Sequence, residues 1–269
     1  MAQVKGPFQI TGSLGNLSFY ERPDLQMFIV RRKGGASKHK VKYAASMAGT
    51  RQQNSEFAAR AKMASIIRRA VLPLGLLLKP DLLAQLNLVI NAIQKPDQDT
   101  PPGGRAITIS RFPGLLEGFS ISRHQTVENI ISSPLKIDFD LGKTVASVII
   151  PALVPGINFF TPPGNWPFFS ISLVSAFIPD LFFAEDMYRP AASHNNHLQF
   201  FTTTGWMSSS LKFPEQALNI SNPLPSLENK APAGVMMLCM AVCFTQEPDS
   251  ITTRSIFPGA GKILAMRPY

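Results

Sequence analysis

The residue types that most often carry chemistry are sparse in this sequence of 269 residues. His194 and His197 are its closely spaced histidine pair, and Glu185 and Asp186 stand nearby. A metal site needs histidine together with cysteine or carboxylate at a suitable spacing, whereas this polar stretch is typical of a solvated loop. Ser193 beside His194 does not make a hydrolase signature, because the Gly-x-Ser-x-Gly elbow is missing. We therefore predict no metal site and no catalytic residues.

The second candidate for chemistry is a pair of carboxylates on one predicted strand. Asp138 and Asp140 alternate with apolar residues, so their side chains share one face of a half-buried strand. Glycoside hydrolysis needs such a pair inside a cleft with sugar-binding groups, and the favoured interpretation is the exposed face of an edge strand. A carbohydrate-binding or hydrolytic sandwich, with Trp166 and Trp206 beside the two aspartates, stays open as a minor alternative.

Neither the glycine-rich stretches nor the cysteines complete a reactive motif. Residues 12–16, 32–37 and 258–262 lack the full Gly-x-x-x-x-Gly-Lys-Ser/Thr spacing of a phosphate loop, so we predict turns there. Cys239 and Cys243 stand four residues apart in one apolar run. On a strand this spacing separates them by about 13 Å, which is too far for a disulfide. We predict buried free thiols, in keeping with synthesis in a reducing compartment.

The overall composition predicts short strands joined by irregular turns. Hydrophobic residues make up 45% of the chain and charged residues only 16%, with 23 prolines and 19 phenylalanines. The N-terminus lacks the apolar core of a signal peptide, and no apolar run is long enough to span a membrane. We therefore expect no transmembrane segment and synthesis without a signal peptide, which leaves the final location open.

The first part of the predicted α+β fold, residues 1–49, is a β-hairpin followed by a basic arm. Alternating apolar residues indicate two strands, and a Pro-Asp turn separates them. An isolated two-stranded ribbon is marginally stable in water, so this hairpin must pack on something else. The hairpin side chains that we assign to self-assembly are Leu17, Phe19, Tyr20, Phe28 and Val30.

The second part, residues 50–96, is a predicted helical hairpin. Apolar residues recur every three to four positions in a stripe that starts at Phe57. Pro73 does not fit a continuous helix, so we expect two helices with a joint there. An αα-hairpin follows from this pattern.

The third part, residues 105–269, is a predicted antiparallel β-sandwich. The Pro/Gly-rich stretch 97–104 predicts a domain boundary before it. Eight short apolar runs with Pro, Gly and Asn between them are typical of a sandwich. The run 235–244 is apolar on both faces, and we therefore place it at the centre of a sheet.

Positive charge is concentrated at the start of the chain. Residues 1–72 hold 13 Lys/Arg and 3 Asp/Glu, whereas residues 73–269 hold 13 Lys/Arg and 14 Asp/Glu. Such a segment binds nucleic acid, docks on an acidic protein surface or stays solvated, and all three interpretations remain open. The candidate contact residues are Arg31, Arg32, Lys33, Lys38, Lys40 and Lys42 in the arm, and Arg51 and Arg60 on the helix.

Three short motifs resemble those of a family of uncharacterised bacterial proteins. Residues 12–20 match a Gly-x-x-Gly-Asn-x-x-x-Tyr start, residues 31–35 match an Arg-x-Lys-Gly-Gly segment, and residues 51–57 match an Arg-x-x-Asn-x-Glu-Phe helix start. Residues 150–155 are similar to an Ile-Pro-Ala-x-x-Pro segment of the same family. The resemblance implies a strand-rich C-terminal part and supplies no functional residues.

Together these patterns favour a non-enzymatic structural protein, without cofactor, that assembles with copies of itself into a filament or ring. The edges of the hairpin offer unpaired backbone groups for strand addition, and the cationic arm needs an acidic counterpart. We expect both to dock on a neighbouring subunit, where Asp138, Asp140, Glu185 and Asp186 are the acidic candidates. The alternative is a nucleic-acid-binding module that uses the arm and the helix at 50–72.

Overall fold

A computed structural model describes most of the chain. It consists of two compact units, Met1–Arg51 (unit 1) and Gln52–Tyr269 (unit 2). The expected α+β class is confirmed, since helices and antiparallel sheets both occur. The residues described are 2–4, 11–22, 27–123, 125–140, 145–191, 199–221, 233–248 and 258–268.

Unit 1 contains a four-stranded antiparallel sheet with the strand order β1-β4-β3-β2. Strands β3 and β4 pair from Leu17 with Arg32 to Arg22 with Met27. The two strands predicted from the sequence are therefore neighbours, but β1 and β2 lie at their outer edges, where we had expected open strand edges. The bounds are β1 (Ala2–Val4), β2 (Gly12–Leu14), β3 (Leu17–Arg22) and β4 (Met27–Arg32).

The segment predicted to be a basic arm contains a helix, α1 (Lys38–Tyr43). The Oγ of Ser37 accepts a hydrogen bond from the backbone N–H of Lys40 at 3.2 Å, which caps the start of this helix. A 3-10 turn at Ala45–Met47 then leads into the long helix α2 (Ala48–Ala70). No side chain of α1 is buried, so this helix forms no core of its own.

Unit 2 combines helices, two sheets and a two-stranded ribbon. Its larger sheet has the order β10-β7-β13-β14, with β11 also paired to β7; its smaller sheet has the order β12-β6-β5, and β8 pairs with β9. Besides most of α2, the elements are α3 (Leu82–Gln94), α4 (Val127–Ile130), β5 (Lys136–Asp140), β6 (Val145–Ile150), β7 (Phe168–Pro179), β8 (Leu181–Ala184), β9 (Met187–Pro190), β10 (Gln199–Thr203), β11 (Met207–Ser208), β12 (Gln216–Ser221), β13 (Gly234–Thr245) and β14 (Gly259–Pro268).

Strand β13 lies between β7 and β14, which confirms the central position expected for this apolar run. Val235, Met237, Cys239 and Ala241 pack in one core with residues of α2 and α3. The even-numbered residues of 238–244 pack in a second core with residues of β6 and β12. The helices thus cover one face of the larger sheet and the smaller sheet covers the other.

The structure divides the chain after residue 51, and the boundary expected at 97–104 lies inside unit 2. The helical part at 50–96 and the strands of 105–269 share a core, because the apolar stripes of α2 and α3 are buried against the larger sheet. Residues of the larger and the smaller sheet share one core, and the helices α2 and α3 pack on the opposite face of the larger sheet.

The buried stripe of α2 differs from the predicted one at its start. Phe57 was expected to begin the stripe, but its side chain is 56% exposed and the guanidinium of Arg60 lies over its ring, 5.7 Å from the centroid. The neighbouring Glu56 is buried instead. A carboxylate is buried only when it is hydrogen-bonded or paired. The hydrogen-bond donor to Glu56 comes from the stretch 97–104, and Nε of Arg105 lies 3.8 Å from its carboxylate.

That stretch is held to α2 and to the ribbon through one glycine. The carboxylate of Glu56 accepts a hydrogen bond from the Gly103 N–H at 2.9 Å. The Gly103 carbonyl in turn accepts hydrogen bonds from the Ser55 hydroxyl at 2.7 Å and from the Tyr188 hydroxyl at 3.2 Å. Gly103 has a φ of +95°, and a Cβ there would lie 3.0 Å from Cγ of Gln52. The stretch 97–104, whose Pro/Gly-rich composition is typical of a linker, is therefore a turn held by hydrogen bonds.

The glycines at 258–262 also differ from the turn that we predicted, since they open strand β14. Gly259 has a φ of +155°, and a Cβ at this position would lie 2.1 Å from the carbonyl oxygen of Val242. The absence of a side chain lets the two strands approach each other closely at the start of their pairing.

Asp97 organises the turn that follows α3. Its carboxylate accepts hydrogen bonds from the Thr100 hydroxyl and the Ala106 N–H, both at 2.7 Å, and from the N–H groups of Asp99 and Thr100 at 3.1 and 3.3 Å. We expect Asp97→Ala to lower the free energy of unfolding by about 1–3 kcal/mol, measured by urea denaturation. Asp99→Ala is the matched control, expected within about 0.5 kcal/mol of wild type. Equal losses in both variants would contradict this role.

The carboxylate of Asp97 also predicts that the stability of the folded chain depends on pH. Burial raises the pKa of Asp97, but the hydrogen bonds from Thr100, Ala106 and Asp99 outweigh it and hold the pKa below its usual value. Because the pKa is lower in the folded chain, the stabilisation is present above the unfolded-state pKa and is lost as pH falls through the folded-state pKa. The stability difference between wild type and Asp97→Ala should therefore shrink in acid. A difference that stays constant with pH would speak against this prediction.

Candidate assembly interface

One face of the unit 1 sheet carries a group of apolar side chains, with the charged residues Glu21 and Arg32 on the same face. Residues directly opposite each other in antiparallel strands project to the same face, and β3 and β4 pair Phe19 with Val30 and Leu17 with Arg32. Phe28 lies two residues from Val30 on the same face, and β2 adds Leu14, which pairs with Leu17. We call this set the apolar face; it consists of Leu14, Leu17, Phe19, Phe28 and Val30.

The apolar face is not buried within its own unit. Leu14 is 73% exposed and Leu17 is 41% exposed, while the other three side chains are half-buried. Among the described side chains of unit 1, Ile29 is the one buried residue, and it projects to the opposite face. A sheet normally buries one apolar face against another layer, so the described part of unit 1 lacks the core that its residue pattern calls for.

Four of the five hairpin residues expected to mediate assembly therefore share a face, and Tyr20 does not. Tyr20 pairs with Ile29 on the opposite side of the sheet. The guanidinium of Arg31 lies over the Tyr20 ring, 5.4 Å from its centroid. This contact is a cation–π pair, and it places Tyr20 with the cationic residues.

The six predicted arm cations are all exposed in unit 1. The backbone N–H of Lys33 donates to the Asn16 carbonyl at 2.7 Å and its Nζ donates to the Gly15 carbonyl at 3.0 Å, so Lys33 closes the turn between β2 and β3. In α1 the Nζ of Lys42 lies 5.2 Å from the centroid of the Tyr43 ring. The cations placed on β4, on the adjoining turn and on α1 are Arg31, Arg32, Lys33, Lys38, Lys40 and Lys42.

The two helix arginines in the predicted contact set make structural contacts. Nη1 of Arg51 donates to the carbonyls of Val41 and Ala44 at 3.0 and 2.8 Å, at the end of α1. Nη1 of Arg60 donates to side-chain oxygens of Asn91 and Gln94 at 3.1 and 2.9 Å, and so joins α2 to α3. Both guanidinium groups are thus engaged inside the chain.

The acidic candidates lie at two places in unit 2. Asp138 and Asp140 are exposed on β5, which is an edge strand of the smaller sheet, as expected. Glu185 and Asp186 form the turn between β8 and β9, with φ of +50° and +60°, and Glu185 pairs with Arg189. The sequence did not indicate this ribbon, because such two-residue turns usually contain glycine or asparagine.

Trp166 and Trp206, considered for a carbohydrate cleft, lie in different parts of unit 2. Trp166 packs against the core between the sheets, whereas Trp206 packs against the core beneath the helices. The carbohydrate cleft expected as a minor alternative is therefore not formed by these two rings. Ser193, His194 and His197 lie outside the described residues. Within the described ranges, no group of three His, Cys, Asp or Glu residues is placed to hold a metal ion.

Both cysteines carry free thiols, as predicted. Cys239 is fully buried beneath the helices, and Cys243 is partly buried against the same core. Burial raises the pKa of the Cys239 thiol, and it raises that of Cys243 to about 12. Since the thiolate is the reactive form, neither thiol is a nucleophile near neutral pH.

No helix in the described part of the chain is long and apolar enough to cross a membrane. The features that unit 1 offers for a contact are the apolar face and the exposed cations of the arm. Comparisons of the chain with protein-family models, with curated proteins and with solved structures found no match.

Proposed function

We propose that this chain is a non-enzymatic structural protein that assembles with copies of itself, and that unit 1 docks on a neighbouring subunit. The observation that carries the proposal is the apolar face, in which Leu14 and Leu17 are exposed on a sheet with a single buried residue among its described side chains. Complete burial of one such side chain is worth about 1.5–3 kcal/mol. A neighbouring surface that covers this face would supply the missing layer.

Contact through the apolar face is favoured over strand addition at the sheet edge. The strands at the two ends of the sheet order, β1 and β2, have three residues each. Short edge strands offer few backbone groups and discourage pairing with another chain. The side chains of the apolar face then form the contact, in place of the backbone pairing expected from an open hairpin.

Charge favours docking of unit 1 on unit 2 of the next copy. Unit 1 holds nine Lys/Arg and two Asp/Glu, whereas unit 2 holds 17 Lys/Arg and 15 Asp/Glu. Two copies of unit 1 therefore repel each other, and a nearly neutral surface with exposed carboxylates such as Asp138 and Asp186 is the better counterpart. A contact between two different surfaces is head-to-tail, and it gives a ring if the rotation closes and a filament if it does not.

The double variant Leu14→Asn/Leu17→Asn tests the apolar face. We expect it to reduce the assembled mass to that of single chains, because polar amides lower the gain from burial, while circular dichroism stays unchanged. The measurement is light scattering after size exclusion, beside negative-stain images. Ser13→Asn/Ser18→Asn is the matched control, since these residues pair on the opposite face of the same strands. A wild-type chain that stays monomeric at all concentrations would refute the proposal.

Removal of residues 1–45 tests the same proposal without reference to single side chains. Unit 2 has its own two cores, so the shortened chain is expected to remain folded. We expect it to stay monomeric at concentrations at which the full chain assembles. Unchanged assembly would show that unit 1 is not the docking element.

A nucleic-acid-binding module is the second candidate, and the exposed cations with aromatic partners favour it. Arg31 over Tyr20 and Lys42 over Tyr43 place positive charge beside rings that stack on bases. The engagement of Arg51 and Arg60 inside the chain removes two of the cations first assigned to this surface. The remaining candidates are the six cations of the arm.

The dependence of binding on salt concentration distinguishes nucleic-acid binding from self-assembly. Binding to a fluorescent single-stranded oligonucleotide should weaken with salt, with a logarithmic slope of about −0.7 per phosphate contacted. Lys38→Ala/Lys40→Ala/Lys42→Ala should flatten that slope, whereas the equally exposed set Lys95→Ala/Lys136→Ala/Lys212→Ala should not. No binding at low salt, or a slope that both triple variants leave unchanged, would exclude this candidate. Assembly through the apolar face should persist at high salt.

A further inference from the structure

Unit 2 contains a polar cleft of about 590 Å³ that plays no part in the assembly proposal. One wall is the start of α3 with the residues just before it, and the other is the segment that precedes α4. Binding sites for small molecules are commonly preformed clefts of this size in which a few polar groups converge. The side chains that matter for the argument are Lys79, Asp81, Gln85, Ser120, Ser122 and Arg123.

Lys79 is the central group of this cleft. Lys79 is only 9% exposed. Its Nζ lies 4.7 Å from the centroid of the Phe119 ring and donates a hydrogen bond to Oε1 of Gln85. The backbone N–H of Lys79 donates to the Ile121 carbonyl at 3.0 Å, which fixes the residue against the opposite wall. The ammonium group is therefore held at one place.

The ammonium group of Lys79 is incompletely compensated. It has three N–H donors, and within the described residues no carboxylate oxygen lies at ion-pair distance from it. Burial lowers the pKa of Lys79, and the nearby carboxylate of Asp81 opposes that effect. A cation removed from water is stabilised by an anion that enters its site.

Asp81 does not cancel the positive character of the cleft. Its Oδ2 accepts a hydrogen bond from Nε2 of Gln85 at 2.7 Å, so this carboxylate is directed along α3. Arg123 adds an exposed guanidinium from the other wall. The first turn of α3, a helix of 13 residues that follows Asp81, contributes the positive end of its dipole. The described groups thus give the cleft an excess of positive charge.

The second wall is rigid and rich in hydroxyl groups. The Ser122 hydroxyl donates to the Gln125 carbonyl at 2.8 Å and accepts from the Gly261 N–H at 3.1 Å, which ties the wall to β14. A Cβ at Gly261 would lie 2.9 Å from Cγ1 of Ile121, so glycine permits this close approach. Ser120 stands beside Ser122, with 3.4 Å between the hydroxyl oxygens. The Ser120 hydroxyl donates to the Ser122 carbonyl at 3.2 Å, so both hydroxyl groups hold the wall in place and leave the charge of an anion to Lys79 and Arg123.

We propose that this cleft binds a small molecule through an oxyanion group, a carboxylate or a phosphate. Lys79 and Arg123 pair with its charge, and the segment with Ser120 and Ser122 forms the polar wall on the other side. The proposal assigns a ligand site to unit 2 and is independent of docking by unit 1. It holds whether the chain is monomeric or assembled.

The test is a titration of the ¹⁵N-labelled full chain with sodium phosphate and, separately, with sodium acetate, at constant ionic strength held with sodium chloride. We expect saturable amide shifts confined to residues 79–85 and 120–126. Phosphate binding tighter than acetate would identify a phosphate ligand, and the reverse would identify a carboxylate. Shifts that do not saturate with either salt, or that sodium chloride alone reproduces, would overturn the proposal.

Two variants and one control make the titration specific. Lys79→Met keeps the length and apolar stem of the side chain, and we expect it to weaken binding about tenfold or more by removing a charged donor. Arg123→Ala changes an exposed residue, so it leaves the fold intact, and it should also weaken binding. Lys95→Met, on an exposed lysine outside the cleft, should bind as wild type does. Wild-type affinity in Arg123→Ala and in folded Lys79→Met would refute the site.

Discussion

The burial of β13 on both faces is the constraint on which the architecture of unit 2 depends. A strand without alternating polar residues needs a layer on each side, and the helices and the smaller sheet provide them. The pairing with β14 is equally tight, since Gly259 lies against the Val242 carbonyl where no Cβ would fit. The same requirement explains why α2 and α3 join the strands in one compact unit.

Unit 1 presents the opposite situation. Its strands have the alternation of a half-buried sheet, yet among its described side chains only Ile29 is buried. The exposed side chains of Leu14 and Leu17 leave hydrophobic stabilisation unused, and the many cations of this unit disfavour contact with a second copy of itself. An apolar surface on a cationic unit is better covered by unit 2 of another copy than by a second unit 1. This difference is the physical basis of the head-to-tail proposal.

Features set by local residue pattern were predictable from the sequence, whereas features set by distant partners were not. The central position of β13 and the exposed edge strand with Asp138 follow from periodicity alone. The burial of Glu56 in place of Phe57 depends on the Gly103 N–H, which is 47 residues away. Proline and glycine mark linkers and fixed turns alike, so composition could not separate them. The cleft around Lys79 joins segments about 40 residues apart that contain no known motif.

The two thiols within β13 have a consequence for any association between copies of this chain. Cys239 and Cys243 are the only cysteines in the sequence, and both pack in the core beneath the helices. Cys239 is fully buried and Cys243 is partly buried, and burial raises the pKa of both thiols, so both stay in the unreactive thiol form near neutral pH, which disfavours disulfide cross-links between folded chains. Under the proposed assembly, the strength of a contact between copies would therefore depend on surface packing and charge rather than on disulfides.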